Sequence, residues 1–215
     1  MQNRFGRVGF VRGAALVLVF SCCPALLHAQ SLEDKIGTAL QAKKPLTRSV
    51  AAAPDPRAEA EKQVVDRLRT RSISVEPAQA PTADERAQIA EIARDKPAID
   101  LEIPFEYNSA DISPRAIPAL VSLGNALSRQ DLKGAVFFIN GHTDAAGSAD
   151  YNQMLSQRRA NSVRRVLIEQ YRLAPDTLIA AGFGKEQLRN PGNPLGEENR
   201  RVQIVNTTVQ ATAGR

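Results

Sequence analysis

An arginine on an otherwise apolar helix row needs a partner, and this chain has one such arginine near a candidate carboxylate. Tyr151, Leu155, Arg159, Val163, Leu167 and Tyr171 follow one another at steps of four, so in a helix they fall on one row. Every member except Arg159 is apolar or aromatic. Its neighbour Arg158 is turned about 100° away and is free to face water. A guanidinium on an inward row is costly unless it is paired. The last apolar run, RRVQIVN, repeats the anomaly. Val202 and Ile204 share a face by alternation, Arg200 has their parity, and Arg201 goes with Gln203.

The candidate partner is Asp144, in the run Gly141-His142-Thr143-Asp144. Gly141 and Gly147 permit a tight path there, and Ser148 or Asp150 can cap the helix that follows. A fixed carboxylate beside a fixed guanidinium matches a zwitterion: the first takes an ammonium, the second a carboxylate. Two plainer readings stand beside this one. Asp144 can serve as a turn residue bonding local N–H groups, and Arg159 and Arg200 can form a structural salt bridge with it. His142 reads as a packing or turn residue.

Catalysis is not expected. His142, Asp144 and Ser148 suggest a hydrolase, but Asp144 follows His142 within one turn-like loop, where base, orienter and nucleophile are hard to assemble. No metal set and no cofactor are expected either, because cleavage of the N-terminus leaves one His and no Cys.

The elements that must position these residues can be read from periodicity. Ile99, Leu101, Ile103, Phe105 and Tyr107 alternate with polar residues and Pro104, which predicts a strand with one buried face. After the turn NSADISP, Ser113 and Pro114 open a helix with the stripe Ile117, Leu120, Leu123 and Leu127. Pro118 must kink its first turn or delay its start. GAVFFING is apolar on both faces and should be an interior strand. A helix over roughly 150–171, the strand TLIAAGFG, a polar loop and the strand RRVQIVN complete the order β-α-β-α-β-β. The expected fold is α/β, a two-layer sandwich with a mixed sheet.

Four regions follow. Residues 1–29 read as a signal peptide: three Arg, the apolar run GAALVLVFSCCPALL, and cleavage after Ala29. Lipidation at Cys22 is the alternative. Cleavage lowers the formal net charge from +5 to +2 and weakens any nucleic-acid reading. Residues 30–97, rich in Ala, Pro and charge, read as a linker with transient helices and a reach of roughly 45 Å. Thr82 and Glu85 offer a capping box within it. Residues 98–208 form the ordered domain, and 209–215 a disordered tail.

The combination GHTDAAGSADYNQMLSQRRANSV, then GFG and NRRVQI, with FEYNSADI upstream, resembles the OmpA-like domain of bacterial envelope proteins. The resemblance implies non-catalytic binding of peptidoglycan through the diaminopimelate of its stem peptide. It assigns the main contacts to Asp144 and Arg159 and supporting ones to Asn108, Thr143, Asn152 and Arg200. It further implies an exported protein of a Gram-negative-type bacterium, in the periplasm or at the outer membrane, with envelope proteins as further candidate partners and no nucleic acid. A flagellar-stator-like or lipoprotein wall anchor is the nearest alternative, and a cell-wall hydrolase a remoter one.

Overall fold

The structure, a computed structural model, describes residues 24–41, 56–73, 80–106 and 108–208, with the backbone alone considered for 24–31. The expected signal peptide up to residue 23, Tyr107 and the tail from 209 lie outside these. Four strands form one open sheet in the order β1-β4-β2-β3. They are β1 (Ala98–Leu101), β2 (Phe137–Gly141), β3 (Leu178–Gly182) and β4 (Val202–Asn206). β2 and β3 are parallel, and β4 runs antiparallel to both β1 and β2. With α4 (Ile117–Leu127) and α5 (Ala149–Tyr171) as crossovers, the β-α-β-α-β-β order and mixed sheet are as the sequence predicts.

The first strand is shorter than its alternation suggests. Its ladder with β4 ends at the pair Leu101–Val202, and beyond it only the isolated bridge Phe105–Ile112 forms. Pro104 has no N–H to give a neighbouring strand. Pro118 delays its helix: a 3-10 turn over Pro114–Ala116 precedes α4, and Pro118 sits in the first helical turn.

α5 packs unusually close to the sheet. A Cβ on Gly141 would collide with the Ser156 carbonyl, and one on Gly182 with the Gln157 backbone nitrogen. The helix thereby bonds directly to the strand end. Gln157 accepts from Gly182 N at 2.8 Å and donates to Ala180 O at 3.2 Å, while Gln153 donates to Gly182 O at 2.8 Å. Leu155, Val163 and Leu167 of the apolar row are buried, and Tyr171 packs against Gly124 of α4.

Residues 30–97 differ most from expectation. α1 (Pro24–Leu40) lies beside α4 and sinks Ile36 and Leu40 into the same core as Phe137, Ile139 and Ile204. α2 (Pro56–Arg71) and α3 (Ala83–Arg94) cover the opposite face of the sheet. Val65, Leu68, Ile89 and Ile92 pack there with Val136, Phe138, Ile179 and Val205. A third layer thus lies on the face that a two-layer sandwich leaves open. These helices are poor in apolar residues, but the sheet supplies the larger share of the interface. Ion pairs tie the layer together: Arg57 with Asp95 at 2.6 Å, Lys96 with Glu61 at 2.9 Å, and Arg69 with Asp176 at 2.7 Å. Buried Arg164 of α5 donates to the carbonyls of Leu178 at 2.9 Å and Pro175 at 3.1 Å, and to that of Ser72 just past α2. The Thr82–Glu85 capping box forms at the start of α3. Among the described residues no helix is long and apolar enough to cross a membrane.

Ile89 is fully buried between this layer and the sheet. Ile89→Ala is expected to lower stability by about 2–4 kcal/mol within a single unfolding transition. Urea denaturation of the purified protein checks this; an unchanged midpoint would mean that the layer does not hold in solution.

Candidate functional site

The site forms where the sheet splays open. Past Leu101 and before Val202 the edge strand β1 and its neighbour β4 part, and a cavity of about 390 Å3 opens there. It is lined by the 102–105 segment, Arg115, His142, Arg159, Glu197 and the Arg200–Arg201 pair. Four arginines against Glu102 and Glu197 make the wall net positive. The loop after β2 and the N-terminus of α5 stand at this end of the sheet.

Arg159 points into the cavity from α5, while Arg158 is exposed, as the helix phase predicts. The Arg159 guanidinium lies over the Phe105 ring, 4.9 Å from its centre, and its Nε donates to Ser109 O at 3.1 Å. No carboxylate lies within ion-pair distance of it among the described residues. Burial first, and then the charge of Arg200, push its pKa below the usual arginine value; Tyr151 and Asp144 act the other way. A half-buried cation has thus been brought beside another cation without a direct counter-charge.

Asp144 is tied twice. Its Oδ1 accepts from Ala146 N at 3.1 Å, closing a local turn, and its Oδ2 accepts from Arg200 Nη1 at 2.9 Å. Both plainer sequence readings therefore hold in part: Asp144 is a turn residue, and it pairs with Arg200. It does not pair with Arg159. Arg200 also reaches Glu197 at 2.8 Å, and its pKa is raised, chiefly by the hydrogen bond to Asp144. Its side chain is 39% exposed, so it forms the rim of the cavity rather than an inward post. It precedes β4, where the covering layer has ended.

The other predicted positions brace the site. Thr143 is buried, with its N–H on Gly184 O at 2.9 Å and its Oγ1 without a partner. Asn152 is buried and donates from Nδ2 to Ala146 O at 2.6 Å, so it holds the 144–147 turn. Ser148 caps α5, accepting from Tyr151 N at 3.2 Å. Asn108 has a left-handed backbone, φ 52°, and its side chain accepts from the Tyr151 hydroxyl. None of Thr143, Asn152 and Asn108 lines the cavity itself.

The sequence reading passed over Phe105, Arg115, His142 and Arg201 as parts of this site. Phe105 was visible as an apolar member of the first alternation, but not as a platform for Arg159. Arg201 was paired with Gln203 and taken away from the core. In the structure Arg201 is only 8% exposed, held beside Asp100 and the Gln187 carbonyl. His142 lies on the same face, stacked on Phe183 at 5.5 Å between ring centres.

Residues 104–201 match the model of the OmpA family. This segment of the chain is an OmpA-family domain. The Peptidoglycan-associated lipoprotein of Pseudomonas aeruginosa is 36% identical over 104 residues, 46% of this chain and 58% of that protein. Outer membrane protein A of Escherichia fergusonii is 35% identical over 106 residues, 48% of this chain and 42% of that protein. The chain thus matches 58% of the length of the first relative and 42% of the second. The crystal structure of the periplasmic domain of Helicobacter pylori MotB superposes with a TM-score of 0.45 at 24% identity, covering 52% of this chain and 82% of that one.

His142 carries a pH dependence of its own. Burial, and then the charge of Arg201, push its imidazole down to about 3, against about 6.5 in an unfolded chain. Between those values the unfolded chain binds a proton that the folded one refuses. Stability therefore falls as pH drops from about 6.5 towards 3, by up to about 1.4 kcal/mol per pH unit. Relative to wild type, His142→Phe is expected to lose less melting temperature between pH 7 and pH 4.5. Parallel loss in the two proteins would assign the acid sensitivity to other groups.

Proposed function

We propose that the protein binds peptidoglycan non-covalently and without cleaving it, gripping the free end of diaminopimelate in the stem peptide and so tethering or organising the cell envelope. The observation that carries this reading is Arg159: a half-buried guanidinium, facing a cavity, with no carboxylate in ion-pair contact among the described residues, while Asp144 stands outside the cavity lining, bonded to the rim residue Arg200 and close enough to act on the Arg159 charge. A ligand carboxylate on Arg159 supplies the missing counter-charge, and Asp144 takes the adjacent ammonium. Arg200, already bonded to Asp144, fixes that carboxylate in place. The names of the matched relatives, one for peptidoglycan and one for the outer membrane, favour the same ligand and an exported protein in the periplasm or at the outer membrane. Outer-membrane or other envelope proteins are the further partners this placement suggests.

The geometry favours binding over hydrolysis. Ser148 uses its hydroxyl to cap α5, and His142 is stacked on Phe183 beneath the cavity. Neither is arranged as a nucleophile with its base.

Co-sedimentation with purified sacculi tests the reading. Asp144→Asn and Arg159→Ala are each expected to weaken binding by about tenfold or more, the range of one lost charged hydrogen bond. Arg158→Ala is expected to change it less than about twofold, since exposed charges contribute little. Equal pelleting of wild type, Asp144→Asn and Arg159→Ala would discard the site.

A further inference from the structure

Beneath the rim, the cavity has an inner wall that the pair of Asp144 and Arg159 does not use. Its residues come from the other face of the sheet. His142 is 2% exposed, and neither ring nitrogen makes a well-aligned hydrogen bond; the Gln187 backbone is the polar group near enough to raise its pKa against burial. Arg201 is buried beside it; its Nε lies 3.3 Å from Asp100 Oδ1 but makes no well-aligned hydrogen bond, and its two Nη atoms reach Gln187 O only at 3.4 Å. Both residues line the cavity. Buried polar atoms in folded proteins are almost always bonded, so several unbonded ones facing one cavity mark a place for a polar group.

The chemistry of that group follows from the donors. A neutral imidazole has one N–H to give, and the guanidinium Nε has another. The neighbouring charges Arg115, Arg159 and Arg200 disfavour a cation. Burial lowers the pKa of Arg201 while Asp100 acts the other way, and burial followed by the charge of Arg201 lowers that of His142.

We propose that His142 and Arg201 form a second anion subsite in this cavity, which takes a further carboxylate of the same ligand. The proposal rests on the wall-peptide reading above and sharpens it. The zwitterionic end of diaminopimelate lies between Asp144 and Arg159, and the carboxylate at its other centre, free when the stem peptide ends there, lies against the inner wall. The domain then selects stem peptides that end in a free carboxylate over peptides amidated at that position.

Isothermal titration of the purified protein decides this. The probes are the tripeptide L-alanyl-γ-D-glutamyl-meso-diaminopimelate and the same peptide amidated at the terminal carboxylate outside the zwitterionic end. Wild type is expected to bind the free acid about tenfold more tightly, the scale of a charge-assisted hydrogen bond. His142→Phe, which keeps the stack on Phe183, and Arg201→Gln are expected to reduce that preference to about twofold or less. The readout is the ratio of the two affinities within each variant, which a general weakening of the fold would not bring towards one. Asp144→Asn should weaken both peptides alike. Equal binding of the two peptides by wild type overturns the subsite and leaves the wall-peptide reading standing; binding of neither overturns both.

Discussion

The close seating of α5 on the ends of β2 and β3 is the constraint on which the site depends. Two strand residues, Gly141 and Gly182, lack the atoms that would hold the helix away. With the backbones in contact, Gln153 and Gln157 take over hydrogen bonds at the strand end that solvent or another strand would otherwise meet. The N-terminus of the helix is thereby fixed against the loop carrying Asp144, and Asn152 reaches back to hold that loop. Arg159, three turns in, then has one direction available, across Phe105 and towards the parted strands. A larger residue at either glycine would move the guanidinium and the carboxylate relative to each other, although neither glycine touches a ligand.

Charge in the cavity is arranged unevenly. The exposed rim pair, Arg200 with Asp144, is internally balanced and also satisfied by a turn amide and Glu197. The deeper groups, Arg159, Arg201 and His142, are not balanced to the same degree. Solvent screening is weaker at that depth, so the imbalance of charge weighs more there than at the rim.

Much of this was legible in the sequence because it follows from period. The step of four separated Arg159 from Arg158, and the alternation placed the strands in the correct order. Local chemistry marked the cap at Thr82 and the delayed start imposed by Pro118. The layer formed by α2 and α3 was not legible by the same route. Each helix carries only a narrow apolar stripe, Val65 with Leu68 and Ile89 with Ile92, which by itself looks too small to anchor anything. The information lay elsewhere in the chain. GAVFFING is apolar on both faces, and a strand of that kind requires a cover on each side. That requirement, taken to its end, assigns the helices to the second face. The cavity was hidden for a related reason: it arises where β1 leaves β4 at Pro104, and pairing partners are not written in any single segment.

α1 gives the fold a heading. Its contacts with α4 advance in step along both helices, Glu33 with Asn125 and Asp34 with Arg129, so the two run parallel. α4 begins at the cavity, where Arg115 lines the wall just ahead of it. The start of α1 therefore lies at the same end of the domain as the cavity mouth. A chain entering at Pro24 therefore arrives on the side of the fold where the cavity opens, and not at the opposite end of the sheet.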